Sequence, residues 1–230
     1  MALPKIALPI FFVELISTGK KHKFRPYTSK QQEILLIALE GENKLEIITA
    51  CENLLNDCVE GIDAKSIPMF DFECLFIKLR IASSGEIINL TVPHLDDAEC
   101  DYKQSVELNL NDIKIEQDPK HNKTIDFGGD IGVTMRYPTM LDSTSSTPKE
   151  LLLSCIESIY DKDNLYPTKD ITVVELEEWV GSLENKHINQ IKEFFDTMPK
   201  VHLEIEYTCN KCGKVEKRVI EGFENFFTTP

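Results

Sequence analysis

A pair of cysteines near residue 210 is the sharpest chemical signal in this sequence, in the segment CNKCG at residues 209–213. Two residues between Cys209 and Cys212 let both thiolates reach one metal ion, and a following glycine permits the left-handed backbone that such a turn needs. This spacing is typical of a zinc knuckle at the tip of a β-hairpin. A tetrahedral structural zinc site needs four ligands, however, and this segment supplies two.

A second polar loop, residues 93–104, offers the two missing ligands. It contains His94 and Cys100, and it lies between two segments that alternate in polarity as strands do. If the two loops meet, His94, Cys100, Cys209 and Cys212 form a Cys₃His site for Zn²⁺. The spacing of His94 and Cys100 is not that of a standard knuckle, so a CxxC turn without metal is the alternative.

Catalytic chemistry finds little support elsewhere. A thioredoxin-like site places its first cysteine at a helix N-terminus, whereas both flanks of Cys209 are typical of strands. The sequence contains no GxSxG, no HExxH and no phosphate-binding glycine loop. Its adjacent carboxylates, at residues 96–97 and 177–178, point apart on a strand or a helix. We therefore predict that the chain is not an enzyme and that it takes no small-molecule substrate.

Two further segments are candidate partner-binding surfaces. The first is basic in a chain that is acidic elsewhere, and the second is an aromatic segment near residue 225; the residues concerned are Lys20, Lys21, Lys23 and Arg25, and Phe223, Phe226 and Phe227. A basic hairpin can dock an acidic protein surface, and exposed phenylalanines can form an interface. The alternatives are a solvated hairpin and aromatic side chains that pack back on the core.

Composition narrows the function classes. The 230 residues carry a net charge of −14, which repels phosphate and argues against nucleic acid as a partner, while a hydrophobic fraction of 42% is that of a globular chain. We identify no membrane-spanning segment and no signal peptide, so we expect a cytoplasmic protein with reduced thiols. Of the seven cysteines, Cys51, Cys58, Cys74 and Cys155 lie in helix-like apolar patterns, and we expect them to occupy the core.

The periodicity predicts an α+β fold in which helical segments alternate with β-hairpins, with two loosely similar halves and the zinc-knuckle-like hairpin in the second. The predicted strands are 11–16, 22–27, 87–92, 106–110, 201–207 and 215–220, with short strands at 113–137. The predicted helices begin at the caps Thr28 and Asp71 and near residues 45, 151, 172 and 189, and the one near 151 is expected to extend over 151–160. The segment LDSTSSTP, residues 141–148, is typical of a linker. It separates a predicted N-terminal α+β domain, 1–140, from a helical domain with the CxxC hairpin, 149–230.

Taken in order, three stretches resemble the baseplate hub assembly proteins of T-even-like contractile-tailed bacteriophages. They are STGK, KFRP and QQEILLIALE at 17–40; MRYP at 135–138 with CIESIY at 155–160; and FFDTMP at 194–199 with the CxxCG hairpin and the ending at 222–227. One departure is that the first loop has Cys100 alone, where members of the family often carry a CxxC.

The resemblance implies a protein that helps to build the baseplate hub or forms part of it. Its partners would be other hub or tail proteins, and it would be made in the cytoplasm of the infected bacterium and could remain in the virion tail. The resemblance implies no catalytic residues. A zinc-ribbon-type nucleic-acid-binding or regulatory protein is the alternative, which the CxxC allows and the net charge opposes, and a thiol enzyme is a third hypothesis.

Overall fold

The structure is a computed structural model, and it describes residues 6–41, 43–93, 100 and 102–221. Its helices and strands follow one another as β1 (Phe11–Glu14), β2 (Lys21–Phe24), α1 (Ser29–Glu40), α2 (Lys44–Cys58), α3 (Met69–Ser84), β3 (Ile87–Pro93), β4 (Lys103–Asn109), β5 (Lys114–Glu116), β6 (Thr124–Gly128), β7 (Ile131–Met135), α4 (Pro148–Ser154), β8 (Ile156–Tyr160), β9 (Leu165–Pro167), α5 (Val173–Gly181), α6 (Asn185–Thr197), β10 (Lys200–Thr208) and β11 (Val215–Glu221). The predicted α+β class is confirmed, because these elements combine helices with small antiparallel sheets.

Contacts divide the chain into two compact units. The first runs to Glu116 and resumes at Lys200, and the second is Gln117–Pro199. This division differs from the predicted boundary at 141–148, which lies inside the second unit. The physical reason is that β10 pairs with β5, with Lys200 opposite Glu116, so the chain returns to the first unit after α6.

The first unit packs helices against hairpins. Its sheets are β1–β2, β3–β4 and β11–β10–β5, and all pairings are antiparallel. The side chains of Leu55, Phe72 and Leu79 in α2 and α3 are fully buried. At the start of α1, Thr28 and Gln31 form the predicted capping box, which satisfies backbone N–H groups that a helix end leaves unpaired.

The start of α3 was predicted wrongly. The helix begins at Met69 after Pro68, so Asp71 lies in its first turn and is not the cap. Asp71 is fully buried, and its carboxylate accepts hydrogen bonds from the backbone N–H of Ile16 at 2.6 Å and of Ser17 at 3.3 Å. It therefore ties the end of the β1 segment to α3, because a buried carboxylate requires such donors.

The second unit is a four-stranded sheet, β6–β7–β8–β9, covered by α5 and α6. The predicted helix at 151–160 is wrong in its second half, because α4 ends at Ser154 and β8 begins at Ile156. The sequence IESIY contains two β-branched isoleucines and a tyrosine, residue types that favour strands, and pairing with β7 and β9 selects the strand. Its inward residues join a core that includes Val133, Ile191 and Phe194.

The segment predicted as a linker contains a short 3₁₀ turn, Leu141–Thr144, and leads directly into α4. The Asp142 carboxylate accepts two hydrogen bonds from the Arg136 guanidinium, at 2.8 and 2.9 Å, and one from the backbone N–H of Thr139. Burial raises the pKa of Asp142, but these hydrogen bonds outweigh it and hold that pKa well below its usual range. The segment is thus anchored by charge-assisted hydrogen bonds.

Among the described residues, none of the helices combines the length and the apolar character that crossing a membrane requires.

Candidate functional site

The CxxC segment lies at the tip of the β10–β11 hairpin, as predicted. Residues 210–212 form a turn that is closed by two backbone hydrogen bonds of 2.8 Å, from the N–H of Cys209 to the carbonyl of Lys214 and from the N–H of Gly213 to the carbonyl of Cys209. Gly213 has a φ of 74°, in the left-handed region that favours glycine. The turn therefore places both thiols on the same tip.

Cys100, from the loop between β3 and β4, joins this tip. Its sulfur lies 3.9 Å from the sulfur of Cys209, and the sulfurs of Cys100, Cys209 and Cys212 all lie within 4.8 Å of one another. Cys100 and Cys209 are buried, whereas Cys212 is exposed. His94, the fourth predicted ligand, falls outside the described residues.

The three thiols differ in their electrostatic surroundings. Backbone N–H groups of Cys212 and Lys211 donate to the Cys209 sulfur and, against the opposing effect of burial, lower the pKa of that thiol to about 6. The backbone of Tyr102 lowers the pKa of Cys100, but burial and the neighbouring sulfurs outweigh it and raise that pKa. Cys209 is therefore the thiolate of the cluster, and a thiolate is the form that binds metal.

Hydrogen bonds join the two hairpins on both sides of the thiols. On one side, the Gln104 side chain of β4 donates to the carbonyl of Thr208 at 2.9 Å and accepts from the backbone N–H of Asn210 at 2.8 Å. Gln104 of the β3–β4 hairpin thus bonds the backbone on both sides of Cys209. These two hydrogen bonds fix β4 against the tip of the β10–β11 hairpin.

On the other side, the carbonyl of Pro93 at the end of β3 accepts a hydrogen bond from the Arg218 guanidinium, and the Tyr207 hydroxyl oxygen lies 3.2 Å from the same carbonyl. The Tyr207 hydroxyl and the Arg218 guanidinium donate to the Glu216 carboxylate, each at 2.8 Å. Glu216 is only 4% exposed, and its charge is compensated by Arg218. This buried network holds the residue from which the chain leaves β3 toward Cys100.

The basic segment forms the outer face of the β1–β2 hairpin. Lys20, Lys21 and Lys23 are exposed, and Lys23 lies opposite Phe12, which is 66% exposed. The inner face is buried through Val13, among other residues. Phe12 was not among the candidate binding residues predicted from the sequence. Its position next to Val13, which faces inward, would have assigned it to the outer face, because successive side chains of a strand point to opposite faces.

Arg25 does not belong to this face. Its guanidinium donates to the backbone carbonyls of Pro26 and Asp57, each at 3.0 Å, and to the Gln31 side chain at 3.3 Å. The structure therefore places Arg25 between β2, α1 and α2, as a link within the first unit. Phe223, Phe226 and Phe227 lie outside the described residues.

Comparison with protein families identifies the family of this chain. A family model described as "T4 bacteriophage base plate protein" matches residues 8–228, which span both units. The chain belongs to the T4 base plate protein family. The resemblance found in the sequence is thereby confirmed.

A curated relative extends this result. The Baseplate hub assembly protein gp26 of Enterobacteria phage T4 is 28% identical to this base plate family member over 203 residues, which cover 88% of this chain and 90% of that protein. No solved structure matches the chain.

The remaining cysteines of this base plate family member lie away from the cluster. Cys51, Cys58 and Cys155 are buried as predicted, whereas Cys74 is half-buried. Burial raises the pKa of Cys51 to about 12 and that of Cys155 to about 11. These thiols stay protonated and pack as small apolar groups.

Proposed function

We propose that the protein acts in assembly of the phage tail baseplate, as a hub subunit or a hub-assembly factor that binds other baseplate proteins. The observation that carries this proposal is the family match over residues 8–228, together with likeness to a hub assembly protein along 90% of that protein's length. Because the likeness covers both units, it concerns the whole described chain and not one module of it.

The outer face of the β1–β2 hairpin is the proposed contact surface for an acidic hub protein. It combines the exposed amines of Lys20, Lys21 and Lys23 with the exposed ring of Phe12, in a chain whose net charge is −14. Cations around an exposed aromatic ring are suited to a carboxylate-rich surface with an apolar pocket, since Phe supplies buried area and Lys sets the orientation and the rate of encounter.

The surroundings of this face support a role in binding. A groove of about 620 Å³ lies beside β2, and its lining includes Ile10, Lys23 and Glu60. Ile10 is itself 62% exposed. The apolar surface of Phe12 is thus continued along the chain toward Ile10, and a partner segment that covers both would remove apolar area from water.

This function requires binding surfaces rather than a reaction, which agrees with the absence of catalytic motifs in the sequence. Nucleic acid is a poor candidate partner, because a protein with a net charge of −14 repels phosphate groups. Synthesis in the bacterial cytoplasm follows from either proposed role, whereas incorporation into the virion tail follows only for a hub subunit. The first experiment below separates the two roles.

Quantitative mass spectrometry of purified phage particles and of infected lysate distinguishes subunit from assembly factor. A fixed ratio to the hub subunits in particles is expected for a subunit. Abundance in hub complexes from the lysate, with absence from particles, is expected for an assembly factor. Absence from both the particles and the hub complexes would overturn the proposal.

Charge reversal tests the contact surface. The variant Lys20→Glu/Lys21→Glu/Lys23→Glu should co-purify with hub proteins at least ten-fold less well, because three cations become repulsive toward an acidic partner. Arg25 is left intact, since its guanidinium serves the fold.

The matched control is Lys162→Glu/Lys169→Glu/Lys192→Glu, which changes the net charge equally at exposed positions of the second unit. It should leave hub recovery unchanged. If both variants recovered hub proteins as well as the wild type does, the β1–β2 face would be removed from the proposal. An equal loss in both variants would show an effect of net charge alone.

A further inference from the structure

We propose that Cys100, Cys209 and Cys212 bind one structural Zn²⁺, which cross-links the β3–β4 hairpin to the β10–β11 hairpin. The proposal concerns the architecture of the protein itself and stands independently of the baseplate role. Zinc is the metal of choice here because thiolates are soft ligands and three of them converge within 4.8 Å of one another.

The distances agree with zinc coordination. A Zn–S bond of about 2.3 Å in a tetrahedron places two ligand sulfurs about 3.8 Å apart. The sulfurs of Cys100 and Cys209 are 3.9 Å apart, and Cys212 completes a triangle whose sides are all within 4.8 Å. The turn alone brings Cys212 toward Cys209, so the informative contact is that of Cys100, whose sulfur reaches both from a different hairpin.

A disulfide explains the arrangement less well. It would require a sulfur–sulfur distance of about 2.05 Å, and it would use two thiols and leave the third without a role. The 3.9 Å between Cys100 and Cys209 is a non-bonded distance. Moreover, the exposed thiol of Cys212 approaches both buried thiols, which one metal accounts for and one disulfide does not.

The protein backbone is arranged to support metal at this tip. N–H groups of Lys211 and Cys212 donate to the Cys209 sulfur and hold it in position within the turn. The left-handed Gly213 closes the turn that directs Cys212 back toward Cys209. Each ligand thus has a defined position before the ion arrives, which reduces the ordering cost of binding.

The cross-link would secure a hairpin that is weakly supported by strand pairing. Within the described part of the chain, β3 and β4 pair only with each other, and a two-stranded hairpin is marginal in water. Its tip meets the β10–β11 hairpin through Gln104, through Pro93 and through the three thiols. A metal bond at this junction would hold Cys100 against the tip of the β10–β11 hairpin.

Metal content of the full-length protein tests the proposal. Protein purified with reductant and without chelator, then exposed to zinc and desalted, should hold one zinc per chain by native mass spectrometry and elemental analysis. Zinc X-ray absorption should show three sulfurs at about 2.3 Å, with the remaining donor lighter. Cys212→Ser, at an exposed position, should lose zinc at least 100-fold more readily to a chelator while it retains its helical circular dichroism.

Cys100→Ser and Cys209→Ser should behave in the same way, and Cys74→Ser is the matched control. Cys74 is a half-buried thiol outside the cluster, so its variant should keep the zinc of the parent. The proposal is overturned if the parent binds no zinc, if zinc persists in the three cluster variants, or if the protein isolated under cytoplasmic conditions contains a disulfide among these cysteines.

Discussion

Two hairpins of the first unit, β1–β2 and β10–β11, are built alike and used differently. Each carries basic residues, but the cations of the first hairpin lie on an exposed face, whereas Arg218 of the second is directed into a buried network with Glu216 and Tyr207. The tip of β1–β2 makes a tight turn at Gly19, while the tip of β10–β11 meets Cys100 and Gln104. The same local structure therefore presents a surface in one place and forms an internal joint in the other.

The largest effect should come from Arg218→Met, which we expect to lower the free energy of unfolding by about 3–5 kcal/mol, because it leaves the Glu216 carboxylate buried without its cation. Denaturant titration measures the change. It should also weaken zinc retention, since Arg218 holds Pro93 at the base of the Cys100 loop.

Lys217→Met is the matched control on the same strand. The Lys217 side chain is 79% exposed and pairs with Glu206 at 2.9 Å, so its loss should change stability by less than about 0.5 kcal/mol. Equal effects of the two substitutions would contradict the contrast between joint and surface.

A smaller loss is expected for Arg25→Met, about 1–3 kcal/mol by the same titration. The guanidinium of Arg25 links the end of β2 to α1 and α2 through hydrogen bonds with Pro26, Gln31 and Asp57. Lys23→Met, two residues earlier on the exposed face, should leave stability unchanged within about 0.5 kcal/mol. If both variants were equally stable, Arg25 would belong with the surface lysines.

The smallest effect is a pH dependence at the turn between β1 and β2, where Asp71 accepts hydrogen bonds from Ile16 and Ser17. Burial raises the pKa of Asp71 above its usual value, although the Ser17 side chain and the backbone N–H groups of Ile16 and Ser17 oppose it. A raised pKa in the folded state favours folding below pH of about 4, and that contribution is lost as pH rises through the folded-state pKa. Each unit of elevation corresponds to about 1.4 kcal/mol.

Thermal unfolding of the wild type and of Asp71→Asn between pH 4 and pH 7 measures this. The wild type should lose stability relative to the variant as pH rises, because asparagine carries no charge to desolvate. Asp112→Asn, at an exposed position, should follow the wild type. A wild type that gains stability over this interval relative to Asp71→Asn would show that the hydrogen bonds outweigh burial.

Local signals in the sequence located much of this architecture. The capping boxes Thr28–Gln31 and Thr172–Glu175 mark the starts of α1 and α5, since a side chain that satisfies a helix N-terminus acts within a single turn. The CxxC spacing located the tip of the β10–β11 hairpin because it, too, is a signal confined to a few consecutive residues.

Features that depend on distant residues could not be predicted in this way. Residues 156–160 fit a helix or a strand, and only their neighbours β7 and β9 decide between the two. In the sequence, Arg25 is one more basic residue beside the lysines. Its structural role depends on the backbone carbonyl of Asp57 in α2, to which its guanidinium donates in the folded chain. For the cysteines, the sequence predicted that two loops could lie close together if they shared a metal. In the structure, Cys100 lies beside Cys209 and Cys212.

The return of the chain from α6 to the first sheet has a consequence for biosynthesis. Strand β5 emerges from the ribosome before the entire second unit, yet its partner β10 emerges after it. The second unit can thus fold while the first still lacks β10 and β11, since domains fold as units during translation. The thiol junction can close only after Cys209 and Cys212 have been synthesised, so a chain truncated before β10 lacks both the junction and the completed first unit.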